Sequence, residues 1–173
     1  MNDEAGLPPE LEDLADVVAM LSGLSRSDRI ETLIGLAEGF REVPERVARR
    51  PFPEASRVPA CESQAFVFAE PRTDGTLDFH FAVENPQGLS AKAFGAVLAR
   101  TLSGRALAPI LALPADLVES IFGRELSLGK SLGLAGMLLA VQRAARDRLS
   151  ALSPSSATFG NQELKSTLPR RNA

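Results

Sequence analysis

One cysteine and one histidine carry most of the chemistry open to this chain. Cys61 lies in Val58-Pro59-Ala60-Cys61-Glu62-Ser63-Gln64, between a loop holding Pro51, Pro53 and Pro59 and the apolar run Ala65-Phe66-Val67-Phe68. A thiol is thereby placed where irregular backbone gives way to a strand, so that the loop presents it and the sheet holds its register. Two readings follow. As a small hydrophobe, Cys61 would pack like other buried cysteines; as a nucleophile, it would act through its thiolate. A packing cysteine belongs inside an apolar pattern, whereas this one stands between Pro59-Ala60 and the polar Glu62-Ser63-Gln64. With His80 it would make the minimum of a cysteine hydrolase. His80, however, falls on the strand face opposite Phe79 and Phe81, where an exposed structural residue is the simpler reading.

Other chemistries lack their residues. A single cysteine allows neither an internal disulfide framework nor a multi-thiolate zinc or iron–sulfur site within one chain, and it suits a reducing compartment. The sequence has no phosphate-binding glycine loop, paired-histidine metal motif or nucleophile-elbow serine. Gly129-Lys130-Ser131 resembles the end of a Walker A motif, but Arg124 stands where its first glycine belongs and no strand precedes it. No metal and no bound cofactor are expected. The net charge of −3, with both signs interspersed, lacks the positive field that nucleic acid requires. The acidic start has no basic residue before Arg26, against a targeting leader, and no apolar run approaches the ~20 residues of a membrane span. A soluble, cytoplasmic protein follows as the expectation, with no nucleic-acid or membrane partner and a monomer or weak dimer as its state.

The elements that must position Cys61 read as an α+β arrangement. Pro8 and Pro9 open a helix over about residues 9–22 with Leu11, Leu14, Val18 and Leu21 on one side. Ser27 is the expected N-cap of a second, whose stripe is Ile30, Leu33, Ile34 and Ala37. Residues 43–50 form further turns that gather Arg46, Arg49 and Arg50, either to dock an acidic partner or, more simply, as a solvated helix end. Strand one spans Glu62–Glu70, and the Thr73-Asp74-Gly75 turn leads into strand two, Thr76–Glu84, with one face packed and the other in water. Ser90 is read as the cap of a third helix ending before Gly104. A short helix spans Ala115–Phe122, and a long one runs from Ser131 to Leu149, with Leu134, Met137, Leu138, Val141 and Ala145 inward and Gln142 outward. Because a hairpin alone is marginal, two to three strands must pack against about five helices. The chain is long enough for one such core, expected over residues 8–149, with 150–173 as a disordered tail.

Two segments together resemble a known family. Val58-Pro59-Ala60-Cys61-Glu62-Ser63-Gln64-Ala65-Phe66 is similar to the Val-X-Gly-Cys-X-Ser-Gln-Val-Trp segment of the SufE family of sulfur-acceptor proteins. Leu126-Ser127-Leu128-Gly129-Lys130-Ser131-Leu132-Gly133-Leu134 resembles that family's Leu-Thr-Pro-Ser-Arg-Ser-X-Gly-Leu segment before its last helix. The resemblance implies a SufE-like fold and a persulfide carried on Cys61, with Ser63, Gln64 and Lys130 as supporting positions. It implies a pyridoxal-phosphate cysteine desulfurase of the SufS type as sulfur donor, stimulated by the chain, and an iron–sulfur scaffold complex as acceptor. The chain would then be a sulfur-transfer accessory protein rather than a free-standing enzyme; the alternatives are a regulator that docks a desulfurase without carrying sulfur, and the Cys61–His80 hydrolase. Three departures bear on the site. Ala60 replaces a glycine, a strained choice if that position has positive φ; Glu62 adds a negative charge beside the thiol; and Lys130 lacks the planar fork of arginine.

Overall fold

Leu77, Phe79, Phe81 and Val83 recur at every second residue, the pattern of a strand with one apolar face. The structure is a computed structural model that describes residues 6–124 and 126–153. In it all four side chains are buried on strand β2 (Leu77–Val83), which pairs antiparallel with β1 (Ala65–Pro71) so that Val67 faces Phe81 and Phe68 faces His80. Strand one starts at Ala65 rather than Glu62, because Gln64 has a φ of 49°, which no extended strand accommodates.

Six α-helices complete the mixed α+β fold among the described residues: α1 (Glu12–Ser22), α2 (Arg26–Glu38), α3 (Leu89–Leu102), α4 (Leu107–Leu111), α5 (Leu117–Phe122) and α6 (Leu128–Leu152). Several ends differ from those the sequence predicts. Ser25, not Ser27, caps α2, its Oγ accepting the Asp28 N–H at 3.2 Å. Gly88 rather than Ser90 precedes α3, without a side-chain cap. Helix α4 has no expected counterpart; its Pro109 stands in the first turn, where a missing N–H costs nothing. Helix α6 starts at Leu128 instead of Ser131, because Ser127 caps it by accepting the Lys130 N–H, and it continues past Leu149 to Leu152. Most of the expected tail lies outside the described residues. No described helix is long and apolar enough to cross a membrane.

Helix α3 packs on β2 and α6 on β1, and together they close the inner face of the hairpin. The five α6 residues read as inward are all buried. Gln142, read as outward, is half-buried instead, and its Nε2 donates to the carbonyl of Leu113 at 3.1 Å and to those of Ile110 and Leu111 at the end of α4, of which Ile110 also accepts the Leu113 N–H at 3.3 Å. On α2 the stripe is only partly used: Ala37 is buried, but Ile30 and Ile34 stay 48% and 42% exposed.

The outer face does not simply meet water. Residues 44–56 cross it as a strap, anchored at one edge where the Val43 N–H donates to the Phe81 carbonyl at 2.8 Å and at the other where Arg57 bridges to Phe66. Midway, the Phe52 ring lies 5.1 Å from Phe66 and 5.5 Å from Phe68, and Arg50 stacks over it at 4.9 Å. Arg46 pairs with Glu70, Arg50 with Glu42 and Glu84, and Arg49 with Glu45. The expected arginine cluster thus ties the strap to itself and to the sheet, and the hairpin's two edges are blunted by single bridges rather than left open.

Candidate functional site

Cys61 lies in a loop that leaves and rejoins the fold at nearly the same place. At its base the Val58 N–H donates to the Ala65 carbonyl at 2.9 Å, and the Val58 side chain is buried. A turn follows, with the Gln64 N–H donating to the Cys61 carbonyl at 3.0 Å. The carbonyls of Ser63 and Gln64 accept the N–H groups of Asn85 and Glu84, each at 3.2 Å, which moors this side of the loop to the end of β2. Ala60 adopts a φ of 54°. A left-handed backbone at a residue with a Cβ costs about 1–2 kcal/mol, so the substitution of alanine for the family's glycine is a strained one.

The floor under this loop is α6. Gly129, Gly133 and Gly136 recur at spacings of four and three, which aligns them on one helix face. A Cβ at Gly133 would stand 3.1 Å from Cys61 Sγ and 3.4 Å from its Cα; one at Gly136 would meet Val58 Cγ1 at 2.7 Å; one at Gly129 would strike the Glu62 carboxylate. Three missing side chains therefore let the loop rest directly on helix backbone. The carboxylate of Glu62 lies over the first turn of α6, where the helix dipole favours negative charge.

The thiol is half-buried and packs against the main core, and among the described residues it makes no hydrogen bond. It opens on a pocket of about 10 Å³, room for roughly one water molecule, lined also by Ser63, Ser90, Gly129 and Lys130. Of the residues singled out in the sequence, Cys61, Ser63 and Lys130 thus meet, with Lys130 in the first turn of α6. Gln64 is exposed and contributes its backbone to the turn. Sequence reasoning missed Ser90 and the three glycines. The glycines had a legible signal, since repeated glycine on one face of a helical pattern marks close approach of another backbone.

His80 is not part of this site. Its Nε2 lies 3.1 Å from Glu70 Oε2 on the outer face, while Cys61 joins the core beneath the inner face, so the hydrolase pair does not form. Arg46, and secondarily His80, hydrogen-bond to Glu70 and hold its carboxyl below the usual glutamate range.

Comparison with known proteins agrees with this geometry. The family model for SufE, described as an Fe–S metabolism associated domain, matches residues 15–145. No curated protein gives a significant match. The fold is similar to a solution structure of a hypothetical protein from Thermus thermophilus, with 24% identity and a TM-score of 0.66 over 83% of this chain and 98% of that one. Because the family model covers most of the chain, including the Cys61 loop and the glycine floor of α6, the chain belongs to the SufE family, associated with iron–sulfur metabolism.

Proposed function

We propose that the chain accepts sulfane sulfur from a cysteine desulfurase as a persulfide on Cys61 and passes it to an iron–sulfur assembly scaffold. The donor's persulfide has the form Cys–S–SH. The Cys61 thiolate attacks its terminal sulfur, the donor's S–S bond breaks, and the donor leaves as a thiolate that takes up the proton Cys61 released. One sulfur atom moves and no external oxidant or reductant is consumed. Removing the persulfide from the donor frees its cysteine for another turnover, which is how the chain stimulates the desulfurase.

The observation that carries this reading is the placing of one unpartnered thiol between a closed loop and a bare helix face. Sulfur carriage has two opposed needs. A persulfide must be shielded from solvent thiols, and it must be handed on. Resting against Gly133, the thiol is screened by the helix and by the loop's own turn, and on its entering side the loop is closed by the Val58 N–H to the Ala65 carbonyl, a bond that can open while the Ser63 and Gln64 carbonyls keep the far side tied to the end of β2. Lys130, lining the same pocket, supplies a positive charge for the developing thiolate, and the Ser63 backbone moors the loop on its far side.

The test is incubation with a cysteine desulfurase and free cysteine, followed by intact-mass measurement. The expected result is one added sulfur that reductant removes and that Cys61→Ser never acquires, together with loss of stimulation in that variant. A Cys61→Ser protein that still stimulates fully would make the chain a docking regulator; no added sulfur on the wild type with any of several desulfurases would end the carrier reading.

A further inference from the structure

The spacing on α2 calls for Ile30 and Ile34 to be covered, and no described part of this chain covers them. They are 48% and 42% exposed, and Leu89 at the start of α3 is 48% exposed. All three line one cavity of about 350 Å³ that also reaches Phe122 of α5 and the first turn of α6. Ser63, Ser90 and Lys130 line both this cavity and the small pocket at the thiol, so the two are contiguous. On another side the cavity shares Arg26, Ile30 and Phe122 with a notch of about 210 Å³ that adds Arg29 and Arg124. The result is a trough that runs from the thiol, over an apolar middle, to a basic end.

Over the cavity and the notch its charge is one-sided, while at the thiol end Glu62 joins Lys130 in lining the small pocket. Arg26 and Lys130 are the charged residues among those described around the cavity, and Arg26, Arg29 and Arg124 around the notch, in a chain whose net charge is −3. Arg29 donates to the Leu21 carbonyl at 3.0 Å and Arg124 pairs with Glu119, so part of that charge is already engaged; the Lys130 ammonium has no ion pair among the described residues. An apolar floor with a cationic rim discriminates in favour of a segment that has a bulky apolar side chain beside carboxylates.

We propose that this trough seats such an acidic, apolar-anchored segment of the sulfur donor and thereby sets the donor's persulfide against the Cys61 loop. The inference rests on the sulfur-acceptor reading and names the surface that reading requires. The donor is the occupant, rather than a second copy of this chain, because the cavity opens onto the acceptor thiol. A partner seated there is already beside the atom with which it must react, and apolar area without such an outlet would have no reason to adjoin it.

Ile30→Glu and Ile34→Glu test it, since both positions are half-exposed and tolerate a polar side chain; Leu139→Glu, on a stretch of α6 that lines neither cavity and is 65% exposed, is the control. Each protein is checked for an unaltered unfolding transition. It is then loaded in two ways: by a purified cysteine desulfurase with free cysteine, and by inorganic polysulfide, which needs no docking surface. For both trough variants the ratio of desulfurase-driven to polysulfide-driven loading at low protein concentration falls about tenfold, equivalent to about 1.4 kcal/mol of docking energy, while the control keeps the wild-type ratio. Wild-type ratios in both trough variants overturn the proposal, as does a parallel loss of both reactions. So does a wild-type dimer that Ile30→Glu dissolves, which would make the trough a self-contact. Loading of the wild type by polysulfide but by no desulfurase is the separate failure of the sulfur-acceptor reading, and it removes the trough's occupant as well.

Discussion

On the inner face of the hairpin Phe79 and Phe81 meet α3 and the aliphatic core; on the outer face Phe66 and Phe68 meet Phe52 of the strap. The inner cover consists of regular helices whose own backbone bonds are satisfied, so a glycine face on one of them can accept a loop at van der Waals distance. The outer cover is an irregular segment held by arginine–carboxylate pairs and two edge bridges. Each region contains one residue capable of proton or nucleophilic chemistry. His80 on the outer face is engaged with Glu70, whereas Cys61 beneath the inner face has packing neighbours only. A reactive group is kept available where the fold surrounds it with surface that forms no bond to it.

The contrast can be broken most directly through its aromatic residues. Phe81→Ala, at 1% exposure among fixed helices, is expected to cost about 3–5 kcal/mol, whereas Phe68→Ala, under a strap that can collapse inward, falls at or below the ~3 kcal/mol end of that range. Urea unfolding of both variants decides it, and equal losses would mean that the strap is as rigid as the helices. The glycine floor gives a second, smaller pair. At Gly136 an added methyl meets Val58, so Gly136→Ala should lose about 1–3 kcal/mol to overpacking against the 0.5–1 kcal/mol that alanine returns to a helix. At Gly129 the obstacle is the end of the flexible Glu62 side chain, so Gly129→Ala should be neutral or stabilising by about 0.5–1 kcal/mol. Gly136→Ala should also speed the reaction of Cys61 with a thiol reagent, and slower modification would show that the loop is not resting on this face.

Ala60→Gly sharpens the comparison within the loop. Relief of the left-handed strain, less the extra entropy of an unfolded glycine, leaves a gain of roughly 0.5–1 kcal/mol, read as a rise in the thermal midpoint. A fall would mean that the φ of 54° costs nothing there. The smallest effect belongs to the outer face. The pKa of Glu70 is lowered on folding, so its contribution is full above the ordinary glutamate value of 4.5 and is lost as the pH falls through its folded value below that. The stability difference between wild type and Glu70→Gln should therefore be constant near neutral pH and shrink in acid. A difference that persists unchanged to about pH 3 would remove Arg46 and His80 as the cause.

Much of this is legible in the sequence because it depends on local periods. The alternation in β2, the inward side of α6 and the order of elements follow from patterns that need no tertiary partner. Cys61 stands out by position, and the second segment around Lys130 supplies its context. The departures come from interactions between distant segments. Ile30 and Ile34 carry a core pattern that no part of the described chain completes. Gln142 reads as solvent-facing because nothing local discloses the group of carbonyls at the end of α4 that its Nε2 meets. The outer face reads as wet because the turns expected over residues 43–50 give no sign of lying across the sheet, and a strap whose helical piece is a three-residue 3-10 turn, Glu54–Ser56, carries no period to recognise. Ser25 and Ser27 are equivalent as letters; what separates them is that only Ser25 has the Asp28 amide within reach.

The glycine floor also has a consequence for the order in which the molecule comes into being. Gly133 is added roughly 70 residues after Cys61, so at ~5–20 residues per second the nascent thiol exists for about 4–14 s before its floor has been synthesised. During that interval the loop has no helix to lie on, and the cysteine is as open to oxidants as any in an unfolded chain. The shelter built by Gly129, Gly133 and Gly136 thus serves the finished fold and offers nothing to the growing chain.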